Sequence, residues 1–309
     1  MKILLLGAHG QVGFELAKTL APLGRVYAAT REGANDSLRV DLAHPPTLDG
    51  ALHAIEPDLV VNAAAYTAVD RAEDEANLAE RINHWALNVL GAWAARRGAL
   101  VVHYSTDYVF DGAAARPYRE ADATAPLGAY GRSKLAGEVA LRDSGCEHLI
   151  LRTAWVYAAR GHNFLRTMLR LGAERDELRI VDDQRGAPTT AALLASATSA
   201  ALAQWAAADG QARARMAGTY HLCAGGECSW YEFAAAIFGA AARAGLIVRP
   251  PALVPIATAD FPTRAHRPAY SVLDTSKFQA AFSIQLPHWQ QGLEAVVAEL
   301  AAAQRLHQN

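Results

Sequence analysis

Tyr130 and Lys134 are four residues apart in a segment that is predicted to be helical, so both side chains project from one helix face. A free tyrosine has a pKa near ~10, too high for easy proton transfer at neutral pH. A lysine cation alongside would lower that pKa, and the same lysine can hold sugar hydroxyls. The pair predicts a proton donor, with a hydrogen-bonded core tyrosine as the structural alternative for Tyr130.

A third candidate, Thr106, directly follows the apolar segment 99–105, which is predicted to be a buried strand. Ligands of open α/β sheets bind at the carboxyl ends of the strands, so this hydroxyl would face a substrate. The pattern Y-x-x-x-K is common by chance, but Lys134 is one of only four lysines in the chain. The three residues together predict a catalytic site.

A glycine-rich turn follows the first predicted strand and begins the first helix. Gly7 can form the tight turn, Gly10 lets the backbone approach a pyrophosphate, and Gly13 lets the helix pack closely on the sheet. The free N–H groups of the helix start favour phosphate, so the turn predicts dinucleotide binding; packing alone is the alternative. The spacing is G-x-x-G-x-x-G. The predicted cofactor residues here are Gly7, His9, Gly10, Gln11, Val12 and Gly13.

The end of the second predicted strand bears on the choice of cofactor. An acid there would bind both ribose hydroxyls of NAD, but the chain has Thr30 and Arg31, with no acid before Glu32. Because arginine can pair with a 2′-phosphate, NADPH is predicted to be preferred, although NADH could also be accepted. The alternative is that Arg31 is a solvated surface charge.

Two further strand ends complete the predicted cofactor site. Asp41 and Leu42 end the third strand, where a carboxylate could meet the adenine amino group. Ala63, Ala64 and Ala65 end the fourth strand, and their small side chains leave room for ribose or nicotinamide above the sheet edge.

The hydrophobic periodicity predicts an α/β fold, a Rossmann-type doubly wound parallel sheet with a smaller C-terminal substrate-binding region. Strands at 2–7, 25–30, 38–42, 58–62, 99–105 and 147–152 alternate with helices at 11–23, 47–56, 71–97 and 129–144. We therefore expect an NADP(H)-binding domain over 1–152 and a mainly substrate-binding domain over 153–309. Segments of the second half are expected to return to the first sheet.

The composition is that of a globular enzyme. The chain has 309 residues, of which 52% are hydrophobic and 19% charged, and its net charge is −2. This balance excludes a disordered chain and argues against nucleic-acid or anionic-membrane partners. No transmembrane span or signal peptide is predicted, and Cys146, Cys223 and Cys228 are too few for a disulfide framework. We expect a cytoplasmic protein.

Several longer motifs carry a family resemblance. The chain resembles the extended short-chain dehydrogenases/reductases, and most closely the dTDP-4-dehydrorhamnose reductase family. STDYVFDG and NAAAYTAVDRAE are far more specific than the glycine motif. The matching stretches, in family order along nearly the whole chain, are 5–16, 61–73, 105–112, 130–138, 151–157, 184–189 and 267–277.

The resemblance implies NADPH-dependent reduction of the C4 ketone of dTDP-4-dehydro-L-rhamnose, the last step of dTDP-L-rhamnose synthesis. It implies that Tyr130 donates the proton, that Lys134 orients the ribose, and that Thr106 hydrogen-bonds the sugar oxygen. Val69 and Trp155 could instead be packing residues, and Asn163 and Arg267, candidates near the diphosphate, could be structural. The implied substrate-binding residues are Val69, Thr106, Asp107, Tyr108, Trp155, Asn163 and Arg267.

The resemblance also raises a metal question. Some family members bind magnesium through glutamates at a dimer interface, and Glu15 matches one of those positions. Ala192 replaces another ligand, and a site poor in carboxylates binds a hard cation weakly. Neither bound metal nor that dimer is therefore predicted, and the chain could be a monomer or a homodimer.

Three alternatives stay open. A nucleotide-sugar dehydratase usually has Asp-Glu after the threonine, but here Asp107 is followed by Tyr108. An epimerase usually has the second-strand acid that this chain lacks. A non-catalytic NADP-binding regulatory protein could share the scaffold, although the intact Thr106, Tyr130 and Lys134 favour an enzyme. The sequence leaves open a related 4-ketose, and UDP in place of dTDP.

Overall fold

The computed structural model describes residues 1–33 and 37–308, and most strands begin and end within one or two residues of the prediction. Apolar runs such as Ile3–Leu6 are buried on both faces, as the strands of a covered parallel sheet must be. The strands are β1 (Lys2–Leu6), β2 (Arg25–Thr30), β3 (Leu38–Arg39), β4 (Leu59–Asn62), β5 (Leu100–Thr106), β6 (His148–Thr153), β7 (Val156–Tyr157), β8 (Glu177–Val181), β9 (Arg185–Gly186), β10 (Thr189–Thr190), β11 (Gly218–His221), β12 (Cys228–Ser229) and β13 (Ala252–Ile256).

Helices cover both faces of the main sheet. The α-helices are α1 (Gln11–Thr19), α2 (Pro45–Ile55), α3 (Ala76–Glu80), α4 (Ala86–Arg97), α5 (Ala129–Asp143), α6 (Phe164–Glu174), α7 (Ala191–Ala207), α8 (Gly210–Met216), α9 (Trp230–Arg243), α10 (Ser276–Phe282) and α11 (Trp289–Gln308). A π-helical turn, Arg81–Trp85, joins α3 to α4. Short 3-10 turns are Ala21–Leu23, Arg71–Glu73, Asp107–Val109 and Thr258–Asp260.

The main sheet has the order β11-β6-β5-β4-β1-β2-β3, and every neighbouring pair in it is parallel. The predicted Rossmann-type fold is thereby confirmed. The strand order reverses between β1 and β4, and ligands bind at such a switch point. β11 comes from the second half of the chain and extends this sheet beside β6. The domain division at residue 152 stays a prediction.

Apolar cores fill both sides of this sheet. α1 and α7 pack on one side, around Leu16, Leu194 and Trp205, and α2, α4 and α5 pack on the other. A separate core lies between α6, α9 and α11 and the pair β8–β13, around Phe233 and Phe238. No helix in the described part of the chain is both long and apolar enough to cross a membrane.

Three predicted elements were too long. β3 ends at Arg39 rather than Leu42, because the Asp41 carboxylate accepts the N–H of Ala43 and the chain turns there. α1 ends at Thr19 rather than at residue 23, since Pro22 lies in a following 3-10 turn. The helix predicted over 71–97 begins its continuous part at Ala76.

Candidate active site

A cavity of about 600 Å³ opens at the carboxyl ends of β1, β2, β4, β5 and β6. It runs from the glycine-rich turn, past the alanines after β4, to the start of α5. Most of the predicted site residues line it: Gly7, Gly10, Gln11, Val12, Arg31, Asp41, Leu42, Ala63, Ala64, Ala65, Val69, Thr106, Asp107, Tyr108, Tyr130, Lys134 and Trp155.

The glycine-rich turn has no room for side chains. Gly7 has a φ of +78°, and a Cβ there would lie 2.8 Å from the backbone nitrogen of Ala64. A Cβ on Gly13 would lie 2.7 Å from the carbonyl carbon of Gly7, so this glycine is required for α1 to approach β1. No side chain caps α1 at Gly10, and its first N–H groups are available for a pyrophosphate. The turn therefore fits a dinucleotide.

At the adenosine end of the cavity, Arg31 lies in an exposed ion pair. Its guanidinium donates to the Glu32 carboxylate, with Nη2 and Oε1 2.8 Å apart, and both side chains are mostly exposed. Thr30 does not line the cavity, because it is buried and its hydroxyl accepts the N–H of Gly33. His9 and Gly13 do not line it either. A 2′-phosphate at Arg31 would compete with the Glu32 carboxylate.

Tyr130 and Thr106 meet at the other end of the cavity. Burial raises the pKa of Tyr130 to about 12, although a hydrogen bond with Thr106 lowers it in part. The lowering expected from Lys134 does not appear among the influences on this pKa, which burial dominates. Tyr130 is therefore protonated at neutral pH, the state required of a proton donor.

Asp107 is buried beside these hydroxyls. The Thr106 hydroxyl donates a hydrogen bond to Oδ1 of Asp107, with the two oxygens 3.0 Å apart. Oδ2 of Asp107 makes no hydrogen bond. Burial raises the pKa of this carboxyl to about 6, and the hydrogen bonds from Ser271 and Thr106 offset part of that rise. Oδ2 is itself enclosed by the protein, so Asp107 borders the cavity without exposing this oxygen to it.

Lys134 is buried, with 1% of its surface exposed. Its ammonium nitrogen lies 2.6 Å from the carbonyl oxygen of Tyr104 and 3.1 Å from Nε2 of His103. His103 is fully buried, and its Nδ1 lies 3.1 Å from the amide nitrogen of Asn62. Sequence analysis missed both His103 and Asn62. Burial lowers the pKa of Lys134 to about 7, while Glu138 opposes that effect.

A buried ion pair supports α5 from below. Glu138 accepts two hydrogen bonds from Arg152 on β6, at 2.9 and 2.7 Å, and a third from Ser105 on β5. Burial alone would raise the pKa of Glu138, but these partners bring it below its usual value. The contacts hold α5 against the two strands that end at the cavity and so fix the position of Lys134.

Trp155 forms a wall of the cavity and stacks on Trp230. Their ring centroids are 3.4 Å apart with an interplanar angle of 3°. Trp155 has a φ of +47°, which is strained for an aromatic residue, and its indole lies where a Cβ on Gly186 would be. Trp230 was not predicted. Further lining residues that sequence analysis missed are Leu6, Glu32, Val40, Thr67, Ile82, Tyr104, Ser105, Thr153, Ala154, Val156 and His162.

Two predicted substrate residues lie outside the cavity lining. Arg267 is paired with Asp70, with Nη2 and Oδ2 2.7 Å apart. Asn163 caps α6 by accepting the N–H of Arg166, and its amide donates to Gln11, which does line the cavity. Their contact with a diphosphate stays a prediction, and both have structural roles here.

Glu15 pairs with Lys18 on the surface of α1, at 3.0 Å. Within residues 1–33 and 37–308, no three His, Cys, Asp or Glu side chains group closely enough to hold a metal ion. A role for Glu15 as a metal ligand stays a prediction.

Comparison with known proteins agrees with this geometry. A family model described as the RmlD substrate binding domain matches residues 1–302. A Burkholderia thailandensis protein named dTDP-4-dehydrorhamnose reductase is 49% identical over 303 residues, covering 97% of this chain and 99% of that protein. One of the same name from Shigella flexneri is 46% identical over 300 residues, covering 97% and 98%.

Among solved structures, a dTDP-4-dehydrorhamnose reductase from Bacillus anthracis in complex with NADP has a TM-score of 0.83 and 33% identity. The match covers 96% of this chain and 99% of that one. A Thermus thermophilus UDP-glucose 4-epimerase complex with NAD is 20% identical with a TM-score of 0.77, so it shares the fold. The present chain matches the RmlD family model and these reductases over nearly its whole length. It therefore belongs to the dTDP-4-dehydrorhamnose reductase family.

Proposed function

We propose that this chain uses NADPH to reduce the C4 ketone of dTDP-4-dehydro-L-rhamnose to dTDP-L-rhamnose. One observation carries the proposal: a single cavity joins a glycine turn shaped for a pyrophosphate to Thr106, Tyr130 and Lys134. The reductase names of its relatives support it. The expected cytoplasmic location stays a prediction.

The residues for NADPH lie along that cavity. When bound, NADPH supplies the hydride, and the chain supplies position and charge. The start of α1 would hold the pyrophosphate, Arg31 the 2′-phosphate, and Lys134 a ribose hydroxyl. Asp41 lies on the same wall, where its carboxylate could meet the adenine. The small side chains of the three alanines after β4 leave space for the cofactor to lie across the edge of the sheet.

Tyr130 is the proton donor in this proposal. Its high pKa keeps the hydroxyl protonated until negative charge develops on the C4 oxygen, when transfer becomes favourable. Thr106 has a single hydroxyl hydrogen, which it donates to Asp107 in this structure. To stabilise the C4 oxygen, Thr106 must turn that hydrogen away from Asp107 and toward the sugar.

The sugar would lie between these hydroxyls and an aromatic wall. Tyr108 packs edge-on against Tyr130, with ring centroids 5.9 Å apart, and Trp155 and Val69 complete the wall. Asp107 borders the same space, where its Oδ1 accepts the hydrogen bond of the Thr106 hydroxyl. Besides Thr106 and Tyr130, the proposed substrate contacts are Val69, Asp107, Tyr108 and Trp155.

NADPH oxidation tests the function, measured with dTDP-4-dehydrorhamnose and with its UDP counterpart under the same conditions. We expect oxidation with the dTDP-sugar and a lower kcat/KM with the UDP-sugar. No oxidation with either substrate would refute the proposed reaction. Equal rates with both would show that neither the thymine methyl group nor the 2′-deoxyribose is distinguished, and would confine the proposal to the sugar.

A further inference from the structure

The backbone is strained at Trp155, in the short connection between β6 and β7. Among the residues that the structure describes, the ones other than glycine with a positive φ are Glu56, Trp155 and Ser283. Glu56 and Ser283 follow the ends of α2 and α10, where a left-handed residue commonly ends a helix. Trp155 follows no helix and lies in the cavity wall. An aromatic residue keeps such a conformation only where its surroundings fix it.

Gly186 is the first of two groups that fix this indole. A Cβ on Gly186 would lie 2.5 Å from Nε1 and 2.8 Å from Cζ2 of Trp155. The φ of Gly186 is not positive, so no left-handed backbone conformation requires a glycine in β9. Glycine is therefore needed at this position for the space that the Trp155 indole occupies.

Trp230 is the second group. Its ring covers one face of the Trp155 indole, with the two ring planes almost parallel and their centroids 3.4 Å apart. Trp230 begins α9 directly after β12, and β12 pairs with β9 so that Cys228 lies opposite Gly186. One short antiparallel ladder therefore brings both groups against Trp155.

The stack continues from Trp230 into the core of the C-terminal region. The ring of Phe164 on α6 lies 4.6 Å from that of Trp230 and 5.5 Å from that of Phe233, between centroids. Phe233 has no exposed surface and belongs to the core between α6, α9 and α11. Because protein interiors are close-packed, Trp230 has little room to move, and Trp155 is held in turn.

We propose that Gly186 and Trp230 are positioning residues for the substrate, which hold the Trp155 indole in place as a preformed wall for the sugar ring. A 6-deoxy sugar presents C–H groups that pack favourably on an aromatic surface. An indole that already lies in its bound position loses little free energy when the sugar arrives. This inference rests on the proposed function for the identity of the sugar nucleotide.

The first test compares the kinetics of three variants. Trp230→Leu removes the stacked face, so the KM for the dTDP-sugar should rise by about fivefold while kcat and the KM for NADPH change by less than about twofold. Trp230→Phe keeps an aromatic face and should restore most of the loss. Trp289→Leu is the control, since Trp289 packs edge-on against Phe233 in the same core. An unchanged KM in Trp230→Leu, or an equal rise in Trp289→Leu, would overturn the inference.

The second test asks whether both residues act through Trp155. Gly186→Ala places a methyl group where the indole lies, and should raise the KM for the dTDP-sugar about as much as Trp155→Ala does, by about tenfold. In the Trp155→Ala background, neither Gly186→Ala nor Trp230→Leu should raise the KM further. Additive effects would show that the two residues do not act through Trp155, and would overturn the inference. If Trp230→Leu does not fold, Gly186→Ala makes this test alone, because it removes no core side chain.

The closing experiment measures the same variants without turnover. Titration calorimetry with dTDP-L-rhamnose in the presence of NADP⁺ gives a Kd, and we expect the Kd to follow the same non-additive pattern as the KM. A non-additive pattern without NADPH oxidation would refute the proposed reaction alone. Oxidation together with an additive pattern would refute the inference alone, and the absence of both oxidation and binding would refute both.

Discussion

The two ends of the cavity handle charge in opposite ways. At the adenosine end Arg31 and Glu32 form an exposed pair, and water screens both charges. At the catalytic end Lys134, His103 and Asp107 are buried, and the pKa of each is displaced chiefly by desolvation. Exposed charges at one end can select a ligand with little effect on the fold, whereas the buried groups at the other determine proton positions.

The largest effect is expected from Tyr130→Phe at the buried end. Loss of the proton donor should lower kcat by about 10²–10⁴-fold, while NADPH affinity, measured by fluorescence titration, changes little. Tyr118→Phe is the matched control, since it removes a buried hydroxyl outside the cavity. Unchanged turnover in Tyr130→Phe would refute its assignment as proton donor.

Glu138 forms ion pairs with two arginines that differ in burial, so the contribution of a buried and an exposed pair can be compared at one carboxylate. Its partner Arg152 has 4% of its side chain exposed and its partner Arg142 has 37%. Arg152→Gln should reduce the free energy of unfolding by about 3–5 kcal/mol, because it leaves a buried carboxylate poorly paired. Arg142→Gln should cost less than about 1 kcal/mol. Urea denaturation of both variants measures the difference, and equal losses would contradict the role of burial.

Asp107→Asn should change how stability depends on pH. The raised pKa means that the folded chain keeps a proton that the unfolded chain releases, between about pH 4 and about pH 6. The unaltered protein therefore loses stability as pH rises through this window, by up to about 3 kcal/mol, and the variant does not. The difference between their melting temperatures should grow from about pH 4 to about pH 6 in favour of the variant. A constant difference would show that Asp107 has an ordinary pKa.

The smallest effects are expected at the exposed end. Arg31→Ala should raise the KM for NADPH by about tenfold and leave the KM for NADH nearly unchanged, since only NADPH has the 2′-phosphate. Glu32→Gln removes the competing carboxylate and should lower the KM for NADPH by about threefold, less at high salt. If Arg31→Ala changed the KM for NADPH and the KM for NADH equally, Arg31 would not be binding the 2′-phosphate.

Local patterns were sufficient for much of the molecule. The apolar runs and helical periods predicted the parallel sheet, and the four-residue spacing placed Tyr130 and Lys134 together on α5. The glycine-rich turn was recognisable because each glycine answers a steric requirement within a few neighbouring residues. Such features depend on the backbone conformation of one short segment, which sequence expresses directly.

Partners from distant segments could not be found in this way. Trp230 stacks on Trp155 from a helix much later in the chain. Arg267 forms an ion pair with Asp70, which lies in the loop after β4, almost two hundred residues earlier in the chain. No periodicity or motif links these residues, because their meeting depends on how the C-terminal region packs against the central sheet.

The sequence by itself determined the fold class, and it singled out the glycine-rich turn and the three candidate reactive side chains. Only the tertiary structure decided their charge. Tyr130 keeps its proton, and Lys134 titrates near neutrality beside His103, because packing removes water from both groups. A pKa depends on solvation and on neighbours in space, and neither is a property of the local sequence.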